Sequence, residues 1–365
     1  MSTKRAIHQM IPTLGYGDAI SNHVTELQKL LRSWGHPSQI YVETCDPLVA
    51  HYCRPYTSYQ DDPRDLLIYH YGGGSRRLTD FLRSRLEWTI LHYHNITPPH
   101  FFETIDREMA AWLKRGREDL CQIFRHVKGV VASTEYNRQE LRAMGFADVR
   151  AVPYLLILSD LERSANSLAG ERIRKRFHDG LLNILFVSRL APNKKQEDLL
   201  HALAYYRTLI DPNVRLLLVG SWGHNLRYKV RLEMLADQLG IWSDIHFSGH
   251  VALEEGFGGY YKAGSVFLCL SEHEGFGIPL IESMYFDLPV IAYKSSAVPE
   301  TLGGSGLLVT EKRYDVIGEL IYNLVNDQAL RRQAIRRQRE RLAAFDRPVA
   351  ESQIKTWVES LEDGI

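Results

Sequence analysis

One rhythm constrains this chain more than any other feature. Short apolar runs alternate with longer amphipathic stretches, and the series runs twice. The first series predicts strands at Ala6–Pro12, Gln39–Val42, Asp65–His70, Thr89–His94, Gly129–Ala132 and Val149–Val152. Between the first two lies His23–Trp34, where Val24, Leu27, Leu30 and Leu31 recur at helical spacing. The second series predicts strands at Asn183–Ser188, Val214–Val219, Ile245–Ser248, Val266–Leu270, Val290–Tyr293 and Leu307–Val309. Strand–helix alternation of this kind implies parallel sheets covered on both faces. Two series imply an α/β chain of two doubly wound, Rossmann-like domains. In such sheets ligands bind outside the carboxyl ends of the strands. The polar stretch Asp160–Asp179, with its basic run Arg172, Arg174, Lys175 and Arg176, breaks the rhythm and reads as a connector. The expected division is an N-terminal domain over 1–165, a linker over 166–180 and a C-terminal domain over 181–345.

Composition narrows the function. Lys plus Arg and Asp plus Glu both number 44, so the net charge is zero. A dedicated nucleic-acid binder usually carries a basic excess to meet phosphates, so that class is set aside. No run of eighteen apolar residues suggests a spanning helix. The N-terminus reads as a first strand rather than a signal peptide. Cys45, Cys53, Cys121 and Cys269 lack disulfide or metal-ligand spacing. They predict buried thiols in a reducing compartment, hence a cytoplasmic location.

The richest segment follows the apolar run Val266–Leu270. It reads Ser271-Glu272-His273-Glu274-Gly275-Phe276-Gly277-Ile278-Pro279-Leu280-Ile281-Glu282. Gly275 and Gly277 let a ligand approach the backbone, and Pro279 suits a first helical turn. A helix that starts there aims free N–H groups and a positive dipole end at an anion. Glu274 falls at the loop mouth and Glu282 about one turn into the helix. A second segment, Phe186-Val187-Ser188-Arg189-Leu190-Ala191-Pro192-Asn193-Lys194-Lys195, also joins a strand to a helix. Its Arg189 and Lys194 are five residues apart across a turn, so a guanidinium fork and an ammonium can converge on one phosphate.

Together and in this order, the two segments resemble the retaining glycosyltransferases of family 4, of GT-B fold. The resemblance runs over nearly the whole chain. It implies two Rossmann-like domains facing across a cleft, with a last helix, 346–365, returning to the first domain and packing through Trp357, Val358 and Leu361. It implies that Arg189 and Lys194 hold the donor's pyrophosphate, that Glu274 lies by the transferred sugar and that Glu282 binds the ribose hydroxyls. The backbone of Gly275, Phe276, Gly277 and Ile278 would face phosphate or sugar oxygens. Gly220 and Val251 would approach the donor from neighbouring strand ends. Lys195 stands where a Gly often follows the Lys, a minor departure because the position precedes the helix.

The N-terminal half fits the same picture. In Gly15-Tyr16-Gly17-Asp18, Ile20 occupies the third glycine position of a dinucleotide fingerprint, so a nicotinamide dehydrogenase is poorly supported. The resemblance makes Gly17 a donor-side position. Asp18 touches the acceptor or caps the following helix. His94 would hydrogen-bond the donor sugar as a second catalytic residue, with His92 buried in the strand. The run after His70, with Gly73 and Ser75, would form acceptor-side backbone. His92 and His94 share a strand face, but no carboxylate or Cys completes a metal set. Ser133-Thr134-Glu135 reads as an N-cap.

The expectation is therefore transfer of a hexose from a UDP- or GDP-linked sugar to a glycan or lipid-linked hydroxyl, with retention. No Asp-x-Asp motif ends a strand, so neither metal nor cofactor is expected. Residues 106–117 are compatible with an interfacial helix and a peripheral membrane contact, although an ordinary domain helix explains them as well. The competing readings are a catalytically silent sugar-nucleotide-binding or scaffold protein of the same fold, a phosphorylase, which usually needs a far longer chain, and an oxidoreductase.

Overall fold

The computed structural model describes residues 4–223 and 225–362. The chain divides into two compact units. One holds residues 4–103, 107–156 and 345–362; the other holds 104–106 and 157–344.

The first unit is built on a seven-stranded sheet. Its strands are β1 (Ile7–Leu14), β2 (Ile40–Cys45), β3 (Cys53–Pro55), β4 (Leu66–Tyr71), β5 (Thr89–Tyr93), β6 (Gly129–Ala132) and β7 (Val149–Ala151). The order is β3-β2-β1-β4-β5-β6-β7 and the pairings are parallel. Every residue of β4 and β5 is buried, as expected of central parallel strands covered on both faces. Strand β3 was not foreseen. Its three residues, Cys-Arg-Pro, are partly exposed at the sheet edge and carry no apolar alternation. The helix Ala19–Ser33 buries Val24, Leu27, Leu30 and Leu31, the residues whose spacing predicted it.

One core cluster of this unit joins Ile7, Leu27, Leu31, Leu66, Ile68 and Ile90 to Ala350, Ile354, Trp357 and Val358. The last four come from the helix Arg347–Glu362, and Leu361 packs against the same cluster. The end of the chain thus completes the core of its beginning.

The second unit carries β8 (Leu182–Val187), β9 (Val214–Val219), β10 (Ile245–Phe247), β11 (Val266–Cys269), β12 (Val290–Tyr293) and β13 (Leu307–Val309). The order is β10-β9-β8-β11-β12-β13, again parallel. The stretch expected as a linker is instead folded into this unit. Residues Leu158–Asn166 and Leu168–Arg176 are helices packed on the helix Gly258–Ala263. Glycines explain the fit. A Cβ at Gly259 would lie 2.5 Å from the Gly170 carbonyl oxygen, and one at Gly258 would lie 2.3 Å from that of Leu161. The polar composition that suggested a connector is the exposed face of these helices. Among the described residues no helix is long and apolar enough to cross a membrane.

Candidate functional site

The two motif segments of the second unit are bound to each other. β8 is followed by Ser188 and the exposed Arg189, and the short 3-10 turn Pro192–Lys194 leads into the helix Gln196–Leu209. β11 ends before Ser271, and the helix Ile278–Tyr285 starts after Gly277. Asn193 donates its side-chain N–H to the carbonyl of His273 at 3.0 Å, and its own carbonyl accepts the N–H of Glu272 at 2.9 Å. Across this junction Lys194 Nζ meets Glu274 Oε2 at 2.6 Å. Both side chains are largely withdrawn from water, so the pair is screened less than a surface bridge.

The Glu274 loop is pinned from behind. Its Glu274 N–H donates to Ser296 Oγ at 2.7 Å, Ser295 Oγ donates to the Ser271 carbonyl at 2.6 Å, and Thr301 donates to the Phe276 carbonyl. Gly277 takes φ 88° as N-cap, a left-handed conformation that glycine adopts without strain. The helix then begins with Ile278 and Pro279. Gly275, Phe276 and Ile278 are half-buried around that start.

Glu282, one turn into the helix, accepts a hydrogen bond from Tyr261 Oη at 2.5 Å. Burial pushes its carboxyl up to about 7, against the smaller downward pull of the Tyr261 bond. Tyr261 is itself buried and also raised, first by desolvation and then by Glu282.

Gly220 ends β9 with φ 141°, and a Cβ there would sit 2.1 Å from the Ser188 carbonyl oxygen. Its N–H bonds the Gly249 carbonyl at 3.1 Å, so the ends of β8 and β9 and the segment after β10 converge. Val251 lies two residues beyond, half-buried. The Lys195 position turns out to matter for its backbone. Lys195 is left-handed at φ 52°, which is why a glycine suits it. Its ammonium meets Glu272 at 3.2 Å, and Glu272 also binds Lys312, which in turn bonds Asp198.

In the first unit several of the expected residues carry structural duties. Gly17 has φ 72° and open space where a Cβ would be, leaving its backbone approachable. Asp18 caps the helix Ala19–Ser33, accepting the Ser21 N–H at 2.9 Å. Ser75 caps the helix Arg76–Leu82 and donates to Glu43 Oε2 at 2.5 Å. The space beside Gly73 is covered by the Trp112 ring: a Cβ would lie 2.1 Å from it. Gly74 meets Gly116 backbone to backbone, so this run lets the helix Arg107–Gln122 come close. That helix buries Ala110, Leu113, Gly116 and Leu120, the behaviour of an ordinary domain helix. Thr134 is the N-cap of Glu135–Ala143.

His94 is hydrogen-bonded at both ring nitrogens. Nδ1 lies 2.5 Å from Tyr154 Oη, and Nε2 lies 2.9 Å from His70 Nδ1. His70 Nε2 in turn lies 2.9 Å from Gln9 Oε1, whose amide N–H is committed to the Val24 carbonyl. The orientation of every proton follows. Gln9 Oε1 can only accept, so His70 carries its proton on Nε2 and accepts at Nδ1. His94 then donates from Nε2 and accepts from Tyr154 at Nδ1. The sugar contact expected of the His94 ring requires one of these bonds to open.

His23 completes a buried group with His70 and His92, whose candidate ligand atoms lie within 4.8 Å of one another. These residues do not fit a metal. His23 Nδ1 accepts the Leu155 backbone N–H at 3.1 Å, so the proton sits on Nε2, the atom that would have to bind. Both nitrogens of His70 are already engaged. His23 was not singled out in the sequence, although it lies on the buried face marked by Val24 and Leu27.

Residues 171–341 match the family "Glycosyl transferases group 1". The chain is 32% identical over 191 residues to a D-inositol 3-phosphate glycosyltransferase of Streptomyces bingchenggensis, covering 49% of this chain and 41% of that protein. It is 29% identical over 206 residues to a GDP-mannose-dependent alpha-(1-6)-phosphatidylinositol monomannoside mannosyltransferase of Mycobacterium tuberculosis, covering 53% and 52%. The chain thus spans about half the length of the curated relatives it matches. Among solved structures, sucrose-phosphate synthase from Thermosynechococcus elongatus aligns with a TM-score of 0.74 at 20% identity, over 99% of this chain and 100% of that one. Anabaena HepE in complex with UDP and glucose aligns with a TM-score of 0.72 at 18% identity, over 98% and 100%. Residues 171–341 are thus similar to the glycosyl transferases group 1, and the two parallel sheets have the GT-B fold.

Proposed function

We propose that this protein is a family 4 glycosyltransferase that moves a hexose from a nucleotide-diphosphate sugar to a hydroxyl acceptor, with retention and without a metal. The observation that carries the reading is the Lys194–Glu274 pair, held where the ends of β8 and β11 meet and beside the helix start at Gly277. Departure of a nucleoside diphosphate leaves negative charge on its outer phosphate. In this reading Lys194, Arg189 and the N–H groups at the helix start stabilise such charge. Glu274 holds the Lys194 ammonium in place and orients the sugar. Glu282 accepts the ribose hydroxyls. The acceptor, glycan or lipid-linked, is assigned to the first unit, where Gly17 offers an approachable backbone. Donor chemistry is UDP- or GDP-linked, in keeping with the UDP and GDP-mannose in the names of similar proteins. The location is cytoplasmic or peripheral at the inner membrane face.

The test is release of nucleoside diphosphate from UDP- and GDP-hexoses by the full chain. Lys194→Ala is expected to lower kcat by about a hundredfold, the scale of losing one charge-stabilising donor. The same scale applies to Glu274→Ala. Release by both variants at the wild-type rate would falsify the assignment. Thermal unfolding of each variant checks that the fold is intact.

A further inference from the structure

The segments of the proposed donor site follow the carboxyl ends of β8, β9 and β11. At the amino ends of β8 and β11 the same unit holds a second concavity. It is a cavity of about 590 Å³, lined among others by Arg174, His178, Lys262, Ser265 and Arg331. No carboxylate is among its lining residues. The three permanent cations come from three helices, Leu168–Arg176, Gly258–Ala263 and Gln328–Leu342.

Arg331 is the most informative of them. It is half-buried, and its Nη1 donates to the Ser265 carbonyl at 2.9 Å. Among the described residues no carboxylate forms a salt bridge with it. Burial lowers its basicity against the smaller upward pull of Asp287, which is itself bound to Arg339. Lys262 Nζ meets the neutral Asn166 Oδ1 at 2.5 Å. Asp179, close in sequence to the cavity wall, holds Arg215 with two bonds of 3.0 Å. Both of these acids are thus committed elsewhere. A half-buried guanidinium without a counter-ion is costly, and an arriving anion offsets that cost. A cavity of this size also falls in the range of small-molecule sites, so it can take a group larger than a bare ion.

We propose that this cavity is a second anion site, which takes a phosphate-bearing ligand through Arg174, Lys262 and Arg331. Arg331 supplies the fork that suits phosphate oxygens, and Arg174 and Lys262 supply charge at the rim. The phosphate belongs either to a free metabolite or to a lipid headgroup. The proposal is independent of the donor-site reading, which concerns the other end of the sheet.

The test uses the full chain with Arg189→Gln and Lys194→Gln in place, so that anion binding at the proposed donor site is removed. Calorimetry at low salt measures pyrophosphate binding, and co-sedimentation measures binding to phosphatidic acid vesicles. One equivalent of pyrophosphate bound without vesicle binding marks a free ligand. Binding to vesicles marks a headgroup. Either supports the site if the further change Arg174→Gln with Lys262→Gln weakens it by about tenfold or more. Both of those residues are exposed, and an unchanged unfolding midpoint checks the fold of the variant. Absence of binding to both probes overturns the proposal. So does binding that the double change leaves unaltered. Neither result touches the donor-site reading, which is tested on the chain with Arg189 and Lys194 intact.

Discussion

Glu282 is a carboxyl whose protonation changes near neutrality, because burial holds it up to about 7 from an ordinary 4.5. In the proposed role of Glu282, its charged form would accept the ribose hydroxyls. Donor affinity is therefore expected to rise as pH increases through about 7, and Glu282→Gln should flatten that dependence; calorimetric titration across pH reads both. The sign for stability is opposite. A raised acid favours the fold at low pH, and that contribution is lost as pH climbs from 4.5 towards 7. Not all of this was legible. The residues Glu274, Glu282, Arg189 and Lys194 stand out in the sequence because each lies at a strand–helix junction. Tyr261, which holds Glu282, stands 21 residues away in a short helix with no motif of its own. Lys195 illustrates the reverse. The resemblance implies that a glycine is usual there, but only the backbone angle explains the preference.

Among the elements, close packing decided what polarity could not. The helices Leu158–Asn166 and Leu168–Arg176 read as a connector because most of their residues are polar. Their contacts with Gly258–Ala263 depend on Gly170, Gly258 and Gly259, spread over two segments, a tertiary fit without a sequence period. Gly259→Ala would drive a Cβ to 2.5 Å from the Gly170 carbonyl oxygen. The expected cost is about 1–3 kcal/mol, the range for overpacking, read as a lower urea midpoint. The strand ends of the first unit carry a different liability. His23, His70, His92 and His94 are buried and held well below their ordinary basicity by desolvation, His23 at about 3. Each binds a proton more readily in the unfolded chain. Their contribution is present above about pH 6.5 and is lost as pH falls below it, by up to about 1.4 kcal/mol per pH unit for each residue. Unfolding of the first unit should therefore be acid-sensitive from pH 6.5 downwards, and replacing His92 with Gln should reduce that slope.

On the scale of the whole molecule, the twofold strand–helix rhythm was enough to give two parallel sheets, since long periodic segments declare themselves. The return of the final helix was not readable from its own charged sequence; it came from the resemblance, and the core contacts of Trp357 are its physical basis. Trp357→Ala is expected to cost about 3–5 kcal/mol. The loss should fall on the first unit, so calorimetry should split one unfolding transition into two. This wiring also sets an order of assembly at the ribosome. Residues 157–344 leave the tunnel as a continuous stretch and can close their sheet at once. The earlier-made sheet must wait, with Ile7, Leu66 and Ile90 short of four partners, until residues 347–362 are synthesised. The part made first is thus the part finished last, and during that interval its exposed apolar face is where a chaperone would find the nascent protein.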